Sequence, residues 1–371
     1  MRTLANMVEH LGDELDFRIV ASDRDSFETK PYPGVKINSW NTVGKAYVYY
    51  ATHSSMGLRK IYDLIRKTPH DILYLNSFFT PRFTMRPLIA RRLGLIPERP
   101  VVIAPRGEFS KGALDLKSLK KQTYIRLAKL VGLYRGLTWQ ASSEFELYDI
   151  KRIMGIPSQC IHVAPDLAAG MKQTDDSSRL FEEANRPLRV VFLSRISPMK
   201  NLDFALKVLQ QLSVAVEFNI YGIVDDESYW QRCRELMLRL PSQVTAKYHG
   251  VIEHGTVAHV LASHDLFFLP TRGENYGHAI FEALAAGVPP LISDQTPWQD
   301  FDQTGVGWVR PLGSMHAFKE VIELFAVTDV SGRMSRRAQA KQYAWKVAGS
   351  TVIKKQNLEL FRNTLNIGKA Q

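Results

Sequence analysis

Strand-like and helix-like segments alternate along nearly the whole chain, in two successive sets. The strand-like runs are short and apolar, and the segments between them carry apolar residues at helical spacing. Strands joined through helices run parallel, so the pattern predicts doubly wound parallel α/β sheets. The predicted strands cover residues 17–22, 71–77, 101–105, 137–142 and 160–165, with one or two between 34 and 51, and then 188–196, 216–223, 245–252, 265–270, 288–294 and 306–311.

A polar stretch separates the two sets. It lacks apolar periodicity and contains a Thr-Asp-Asp-Ser-Ser core, which is typical of a linker. We predict a first domain at 1–167, a linker at 168–187, a second domain at 188–345, and a C-terminal helix at 346–371 that crosses back to the first domain. Two such Rossmann-like domains would face a central cleft lined by the carboxyl ends of strands, where ligands bind.

The first domain departs from this plan at its start. A Rossmann-like domain begins with a strand that is central in its sheet. This chain opens instead in a helical pattern formed by Leu4, Met7, Val8 and Leu11. We therefore expect the first domain to lack its first strand and glycine-rich turn, and expect a form extended upstream by both to be more stable and more active.

Composition narrows the classes of function. The chain has no apolar run of the roughly 18 residues that a spanning helix needs, and no basic region followed by an apolar block near its start. Cys160 and Cys233 are far apart and form no CxxC motif. His254, His259 and His264 recur every five residues, which does not place them on one helix face. We expect a cytoplasmic protein without metal or cofactor.

Positive charge is concentrated in one segment. The chain has 48 basic and 37 acidic residues, for a net charge of +11, which favours binding of phosphate-bearing partners. Residues 111–135 are rich in lysine and arginine, and apolar residues recur there at helical spacing. This predicts a basic amphipathic helix on an anionic membrane surface. A solvated face on a core-packed helix fits the same pattern, and both interpretations stay open.

Two glutamates mark the region after the strand at 265–270. Glu274 precedes a helix predicted at 276–286, Glu282 lies within it, and Gly277 would let the backbone approach a ligand. A helix N-terminus attracts phosphate through its free N–H groups. Two carboxylates at this spacing can accept hydrogen bonds from the vicinal hydroxyls of a sugar and a ribose.

Two cations follow the first strand of the second domain. Arg195 and Lys200 lie in the turn of "FLSRISPMKN", facing the same predicted cleft. Such a pair can hold a pyrophosphate without a metal. Together with the glutamates, it predicts a site for a nucleoside diphosphate that carries a sugar.

The segment "SRISPMKN", followed by "GENYGHAIFEALAAGVPPLISD", resembles the retaining glycosyltransferases of family 4, which have the two-domain GT-B fold. "APRGEFSKGAL", "QASSEFE", "YGIVDDESYW" and "SDQTPW" extend the similarity along the chain. The resemblance implies that Arg195 and Lys200 neutralise the donor diphosphate and that Glu282 holds the ribose. It further implies that the donor sugar is held by Glu274 and by the backbone of Asn275, Tyr276, Gly277 and His278. The nucleobase pocket would be lined by Tyr221, Gly222 and Ile252.

Two positions depart from the family pattern. Arg106, followed by Gly107, stands where a family member often has His-Gly, and Asp166 stands where relatives commonly have Pro-Asn-Gly. Arginine stays protonated and cannot act as a base. We interpret Arg106 as a phosphate or acceptor contact and Gly107 as an acceptor-side contact, with a structural role for Arg106 as the alternative. His278 would bond the sugar or phosphate, or cap its helix.

The resemblance implies transfer of a sugar from a UDP- or GDP-sugar to a hydroxyl of a glycan or lipid-linked glycan, with retention of configuration, in bacterial cell-surface polysaccharide or lipopolysaccharide synthesis. We expect no nucleic-acid partner, a monomer or weak oligomer, and work at the inner face of the cytoplasmic membrane. The alternatives are a nucleotide-sugar epimerase or hydrolase on the same fold, and a decayed relative that binds membrane or nucleic acid.

Overall fold

The computed structural model describes residues 2–25, 29–52, 57–115, 118–170 and 186–370. The chain divides into two compact units, one formed by Met1–Leu167 with Ser350–Gln371 and the other by Ala168–Gly349. Most of the predicted linker lies outside the described residues. No helix in the described ranges is both long and apolar enough to cross a membrane.

The first unit contains seven strands and seven α-helices among the described residues. Its strands are β1 (Phe17–Ser22), β2 (Trp40–Val43), β3 (Ala46–Ala51), β4 (Leu73–Asn76), β5 (Val101–Ala104), β6 (Thr138–Ala141) and β7 (Ile161–Val163). Its helices are α1 (Arg2–Leu11), α2 (Leu58–Lys67), α3 (Arg86–Arg92), α4 (Lys111–Asp115), α5 (Ser118–Leu130), α6 (Glu144–Met154) and, at the end of the chain, α14 (Thr351–Ala370).

These strands form two sheets. In one sheet β3 lies between β1, which it pairs in parallel, and β2, which it pairs antiparallel. The other sheet is parallel, in the order β4-β5-β6-β7. Within the described part of the chain, β1 pairs only with β3 and β4 only with β5, so a Rossmann-like sheet is divided here into two.

Aromatic residues fill the core beside the four-stranded sheet. Phe78, Phe109 and Trp139 are fully buried, and the ring of Phe78 stacks on that of Tyr134 with centroids 4.4 Å apart. Helix α14 joins this unit through an apolar cluster in which Phe361 meets residues of α1. The return of the last helix to the first unit is thereby fixed by burial of apolar surface.

The segment predicted as a basic helix at 111–135 contains α4 and α5, and residues 116–117 between them lie outside the described ranges. The second of these helices ends at Leu130, earlier than predicted, and turns follow it. The apolar residues of this segment do not share one environment, because Ile125 is buried whereas Leu127 and Leu130 are 57% and 84% exposed. Helical spacing alone could not show which apolar residues the core would accept.

In its described residues, the second unit contains one sheet and the helices that cover it. Its strands are β8 (Leu188–Leu193), β9 (Val216–Tyr221), β10 (Val244–Tyr248), β11 (Leu266–Leu269), β12 (Pro290–Ser293) and β13 (Trp308–Arg310). Its α-helices are α7 (Leu202–Leu209), α8 (Glu227–Met237), α9 (Val257–Ala262), α10 (His278–Ala285), α11 (Phe301–Thr304), α12 (Met315–Ala326) and α13 (Val330–Ala348).

The six strands of this sheet are all parallel, in the order β10-β9-β8-β11-β12-β13. Every residue of β11 and β12 is buried, as expected for strands covered by helices on both faces. The strand order reverses between β8 and β11, which pair directly. Ligands of doubly wound sheets bind beside the carboxyl ends of the strands at such a switch point.

Candidate functional site

Two loops leave the sheet at this switch point and bind each other. The loop after β8 runs to α7, and the loop after β11 runs to α10. The carbonyl of Met199 accepts hydrogen bonds from the backbone N–H of Arg272 (2.8 Å) and the hydroxyl of Thr271 (3.1 Å). The side-chain amide of Asn201 donates to the carbonyl of Pro270 at 2.9 Å. The two loops therefore form one framework.

This framework brings together two predicted site residues that lie 74 positions apart. The ammonium of Lys200 forms an ion pair with the carboxylate of Glu274, and their side chains are only 13% and 12% exposed. The backbone N–H of Glu274 donates to the carbonyl of Gln295 at 3.0 Å. The N-cap of α10 is Gly277, without a side-chain cap, and the carboxylate of Glu274 pairs with Lys200 instead.

Arg195 lies on a more open part of the loop after β8. Its guanidinium is 2.9 Å from the carboxylate of Asp225, and its side chain is 58% exposed. A parallel bridge between Ile196 and Val224 fixes Asp225 beside it. Exposed ion pairs contribute little stability, so Arg195 can exchange Asp225 for a phosphate at small cost.

The start of α10 differs from the prediction by two residues. The helix begins at His278 because Gly277 adopts φ +81°, and a Cβ there would lie 2.8 Å from a side-chain carbon of Ile280. The ring of Trp298 meets that of Tyr276 edge-on at 5.3 Å, and its indole N–H donates to the Tyr276 carbonyl. Long-range packing thus shapes the backbone ahead of α10.

The remaining predicted donor residues of this stretch lie around that helix start. The ring of His278 packs on that of Tyr276, with centroids 5.0 Å apart. Asn275 is half-buried ahead of the helix, and Glu282 is half-buried within it. The structure therefore gathers these residues on one short segment next to the Lys200–Glu274 pair.

The predicted nucleobase residues lie at the ends of β9 and β10. Gly222 has φ +138°, and a Cβ would lie 1.9 Å from the carbonyl oxygen of Ser194, so only glycine fits. The ring of Tyr221 stacks on that of His249, with centroids 4.6 Å apart. Ile252 is half-buried against the core in the following turn. His249, which pattern analysis missed, belongs to this aromatic surface.

In the first unit, Arg106 occupies a buried network. It has φ +58° and Gly107 has φ +75°, and a positive φ is strained for arginine. Its Nε donates to the side-chain oxygen of Asn76 at 2.7 Å, and its terminal amines reach Asp166 and the Tyr74 hydroxyl. Burial raises the pKa of Tyr74 to about 12, so this hydroxyl stays protonated and donates to Gln140 at 2.6 Å.

The two departures from the family pattern contact each other. The Asp166 side chain is 2% exposed and the Arg106 side chain 12% exposed, and the two form an ion pair. The hydroxyl of Thr3 also donates to Asp166, at 3.2 Å. The network therefore gives Arg106 a structural task, and its contact with an acceptor stays a prediction.

A buried carboxyl supports the turn that contains Gly107. Glu146 accepts hydrogen bonds from the backbone N–H groups of Gly107 (2.6 Å) and Ser142 (2.8 Å). Burial raises the pKa of Glu146, whereas those hydrogen bonds lower it. The loop after β5 is thus anchored to the first turn of α6.

Besides His249, sequence reasoning missed Asp225, Asn201 and Arg272 of the second unit. Asp225 pairs with Arg195, and Asn201 accepts a hydrogen bond from Arg272 Nε at 3.0 Å. These three residues stand within or beside the quoted motifs, so the sequence did point to their neighbourhood. Motif spacing does not show, however, which side chains contact each other. Across the described ranges, no group of three or more His, Cys, Asp or Glu residues could hold a metal.

The second unit matches a known family. Residues 174–346 match the model described as glycosyl transferases group 1. The putative colanic acid biosynthesis glycosyltransferase WcaL of Escherichia coli is 27% identical over 202 residues, covering 51% of this chain and 48% of that protein. The matches span 33% to 63% of the lengths of such curated relatives.

Solved structures show the same fold over more of the chain. Sucrose-phosphate synthase from Thermosynechococcus elongatus superposes with a TM-score of 0.73 at 13% identity, covering 98% of this chain and 92% of that one. HepE of Anabaena in complex with UDP-glucose gives a TM-score of 0.63 at 16% identity, covering 85% and 86%. The chain therefore has the GT-B fold, and residues 174–346 of it are similar to the glycosyl transferases group 1 model.

Proposed function

We propose that this protein transfers a sugar from a nucleoside diphosphate sugar to a hydroxyl of a glycan or lipid-linked glycan, with retention of anomeric configuration and without a metal. The observation that carries the proposal is the Lys200–Glu274 pair at the switch point of the second sheet. It combines a cation suited to a diphosphate with a carboxylate suited to sugar hydroxyls.

Similar proteins support the class of donor and acceptor. HepE was crystallised with UDP-glucose, which favours a UDP-sugar over a GDP-sugar as the donor. The name of WcaL places that relative in colanic acid biosynthesis, which favours an acceptor in cell-surface polysaccharide synthesis.

The proposed mechanism relies on positioning and charge. Arg195 and Lys200 bind the departing diphosphate and stabilise the charge that develops on its oxygen. Glu274, with the backbone of residues 275–278, holds the donor sugar, and Glu282 holds the ribose. Retention without a covalent intermediate means that the acceptor hydroxyl attacks from the face that the diphosphate leaves.

Calorimetry with UDP, GDP and ADP tests the proposed function. We expect one of the three to bind, with UDP the first candidate, and the corresponding sugar nucleotide to raise the melting temperature. Turnover of the donor in the absence of any acceptor would favour the hydrolase or epimerase alternative. Binding of none of the three would favour a decayed relative and overturn the proposal.

Lys200→Ala and Arg195→Ala should each weaken diphosphate binding far more than nucleoside binding. Each removes one charge-assisted contact to phosphate, a loss of about 1.5–3 kcal/mol. Calorimetry with UDP and with uridine separates the two effects. Equal losses for both ligands would show that these cations do not touch the diphosphate.

We further propose that the exposed side of α5 binds anionic membranes. Leu127 and Leu130 are exposed, and exposed basic residues including Lys120 and Arg126 lie on the same helix. Basic side chains near an anionic surface contribute about 1 kcal/mol each, and insertion of leucine adds burial of apolar surface.

The protein should sediment with phosphatidylglycerol vesicles at low salt and be released as salt rises. Lys120→Glu with Arg126→Glu should abolish this binding, and Leu127→Ser with Leu130→Ser should weaken it. Binding that persists in the charge-reversed variant, or that does not respond to salt, would contradict the membrane hypothesis and leave α5 as a solvated helix.

A further inference from the structure

The two cations predicted to bind the donor each form an ion pair with a carboxylate. Lys200 pairs with Glu274, and Arg195 pairs with Asp225. Each pair is neutral overall, so together they add no net positive charge to the two loops at the switch point. A diphosphate is strongly anionic, so long-range attraction to it requires a net positive charge at the site.

Arg272 meets that requirement. It is exposed in the loop after β11, and within the described ranges it forms no ion pair with a carboxylate. Its backbone N–H donates to the Met199 carbonyl, which immediately precedes Lys200 in the chain. Arg272 therefore belongs to the same framework of two loops that positions Lys200 and Glu274.

The side chain of Arg272 is also held in place. Its Nε donates to the side-chain oxygen of Asn201 at 3.0 Å. The Asn201 amide nitrogen donates to Pro270, so the amide is fixed at both ends, and the residue is 3% exposed. When only Nε of a guanidinium donates to the protein, its two terminal amines can form a bidentate contact with phosphate oxygens.

We propose that Arg272 is a further diphosphate-binding residue and that Asn201 is its positioning residue. This inference rests on the proposed function and adds a third cation to the donor site. It explains why an asparagine is buried at φ +62° in this turn. Asparagine tolerates this conformation better than most residues, and its side chain can hold the guanidinium.

Calorimetry on the full chain tests the assignment, with UDP, GDP and uridine as probes. Arg272→Ala should weaken binding of the preferred diphosphate about tenfold or more, while uridine binding stays unchanged. Arg272→Lys should recover only part of the loss, because an ammonium cannot form the bidentate contact. Arg239→Ala removes another exposed arginine, beyond the end of α8, and should change neither affinity.

Asn201→Gly separates positioning from folding. Glycine adopts the positive φ of this turn without strain, so the melting temperature should change less than the diphosphate affinity. In the Arg272→Ala background, Asn201→Gly should add little further loss of affinity, since its effect passes through the guanidinium. Independent, additive losses would show that Asn201 acts on the site by another route and overturn its assignment.

The outcomes distinguish this inference from the proposed function. If the wild type binds a nucleoside diphosphate and Arg272→Ala binds it equally well, the role of Arg272 is overturned while the proposed function stands. Equal losses for UDP and uridine would also overturn the role, since they indicate a distorted loop. If the wild type binds none of the diphosphates, both proposals fail.

Discussion

Glu274→Gln should lower the rate of sugar transfer by a factor of about 10²–10³ while leaving nucleoside diphosphate affinity unchanged or tighter. The carboxylate is proposed to hold the donor sugar, so its loss removes a contact in the transition state. Its present partner is Lys200, and neutralising Glu274 frees that ammonium for the diphosphate. Loss of turnover together with retained or improved binding of the nucleoside diphosphate would therefore identify Glu274 as a ligand of the donor sugar.

Glu282→Gln provides the matched control. Both glutamates lie on the same segment, but Glu282 is proposed to contact the ribose. This variant should weaken diphosphate and nucleoside binding alike, with a smaller effect on the rate at saturating donor. Measurement of kcat with a UDP-sugar, calorimetry with UDP, and thermal melting would compare the two variants.

Two results would contradict the role of Glu274. Normal turnover by Glu274→Gln would mean that the carboxylate does not act on the donor. A parallel loss of turnover and diphosphate affinity would mean that Glu274 serves only to orient Lys200. The second result would keep the ion pair in the site but would assign the sugar contact elsewhere.

The second sheet was predictable because its strands are short, apolar and buried on both faces. The predicted runs at 188–196 and 265–270 contain β8 and β11. Alternation with helices predicts a parallel sheet, but it does not fix the strand order that makes these two strands neighbours. The start of α10 was missed by two residues because Trp298, far along the chain, fixes the Tyr276 carbonyl. Local patterns contain no information about such a contact.

Charge pairing is the part of the site that motif analysis did not foresee. The sequence marks Lys200 and Glu274 as separate ligands of phosphate and sugar, yet in the fold they bind each other. Arg106 and Asp166 were likewise noted as separate departures from a family pattern, although they lie 60 residues apart and meet in one buried pair. Sequence spacing identifies candidate groups, and only the fold decides their partners.

The Arg106–Asp166 pair should show strong coupling in protein stability. Arg106→His alone removes the guanidinium that pairs with the buried Asp166 carboxylate, and Asp166→Asn alone removes the charge that pairs with this guanidinium. Breaking a buried pair from one side costs about 3–5 kcal/mol. The double change installs a histidine and an asparagine, the residue types that the family resemblance associates with these positions.

Urea denaturation of the intact chain, compared for the wild type, the two single variants and the double variant, gives the coupling free energy. We expect the double variant to be more stable than the sum of the two single losses predicts, by about 0.5–3 kcal/mol. Additive losses would show that Arg106 and Asp166 stabilise the unit through other neighbours, such as Tyr74 and Thr3.

The same double variant decides between the two roles of Arg106. If the arginine serves only to neutralise Asp166 and to hold the loop after β5, restoring stability should restore sugar transfer as well. If Arg106 contacts the acceptor, the double variant should fold and bind UDP normally while its KM for the acceptor rises, because histidine lacks the permanent charge and the fork of donors. Donor binding is the internal reference, since Arg106 belongs to the first unit and the proposed donor residues to the second. A variant that is stable, binds UDP and transfers sugar at the wild-type rate would assign Arg106 to the structure alone.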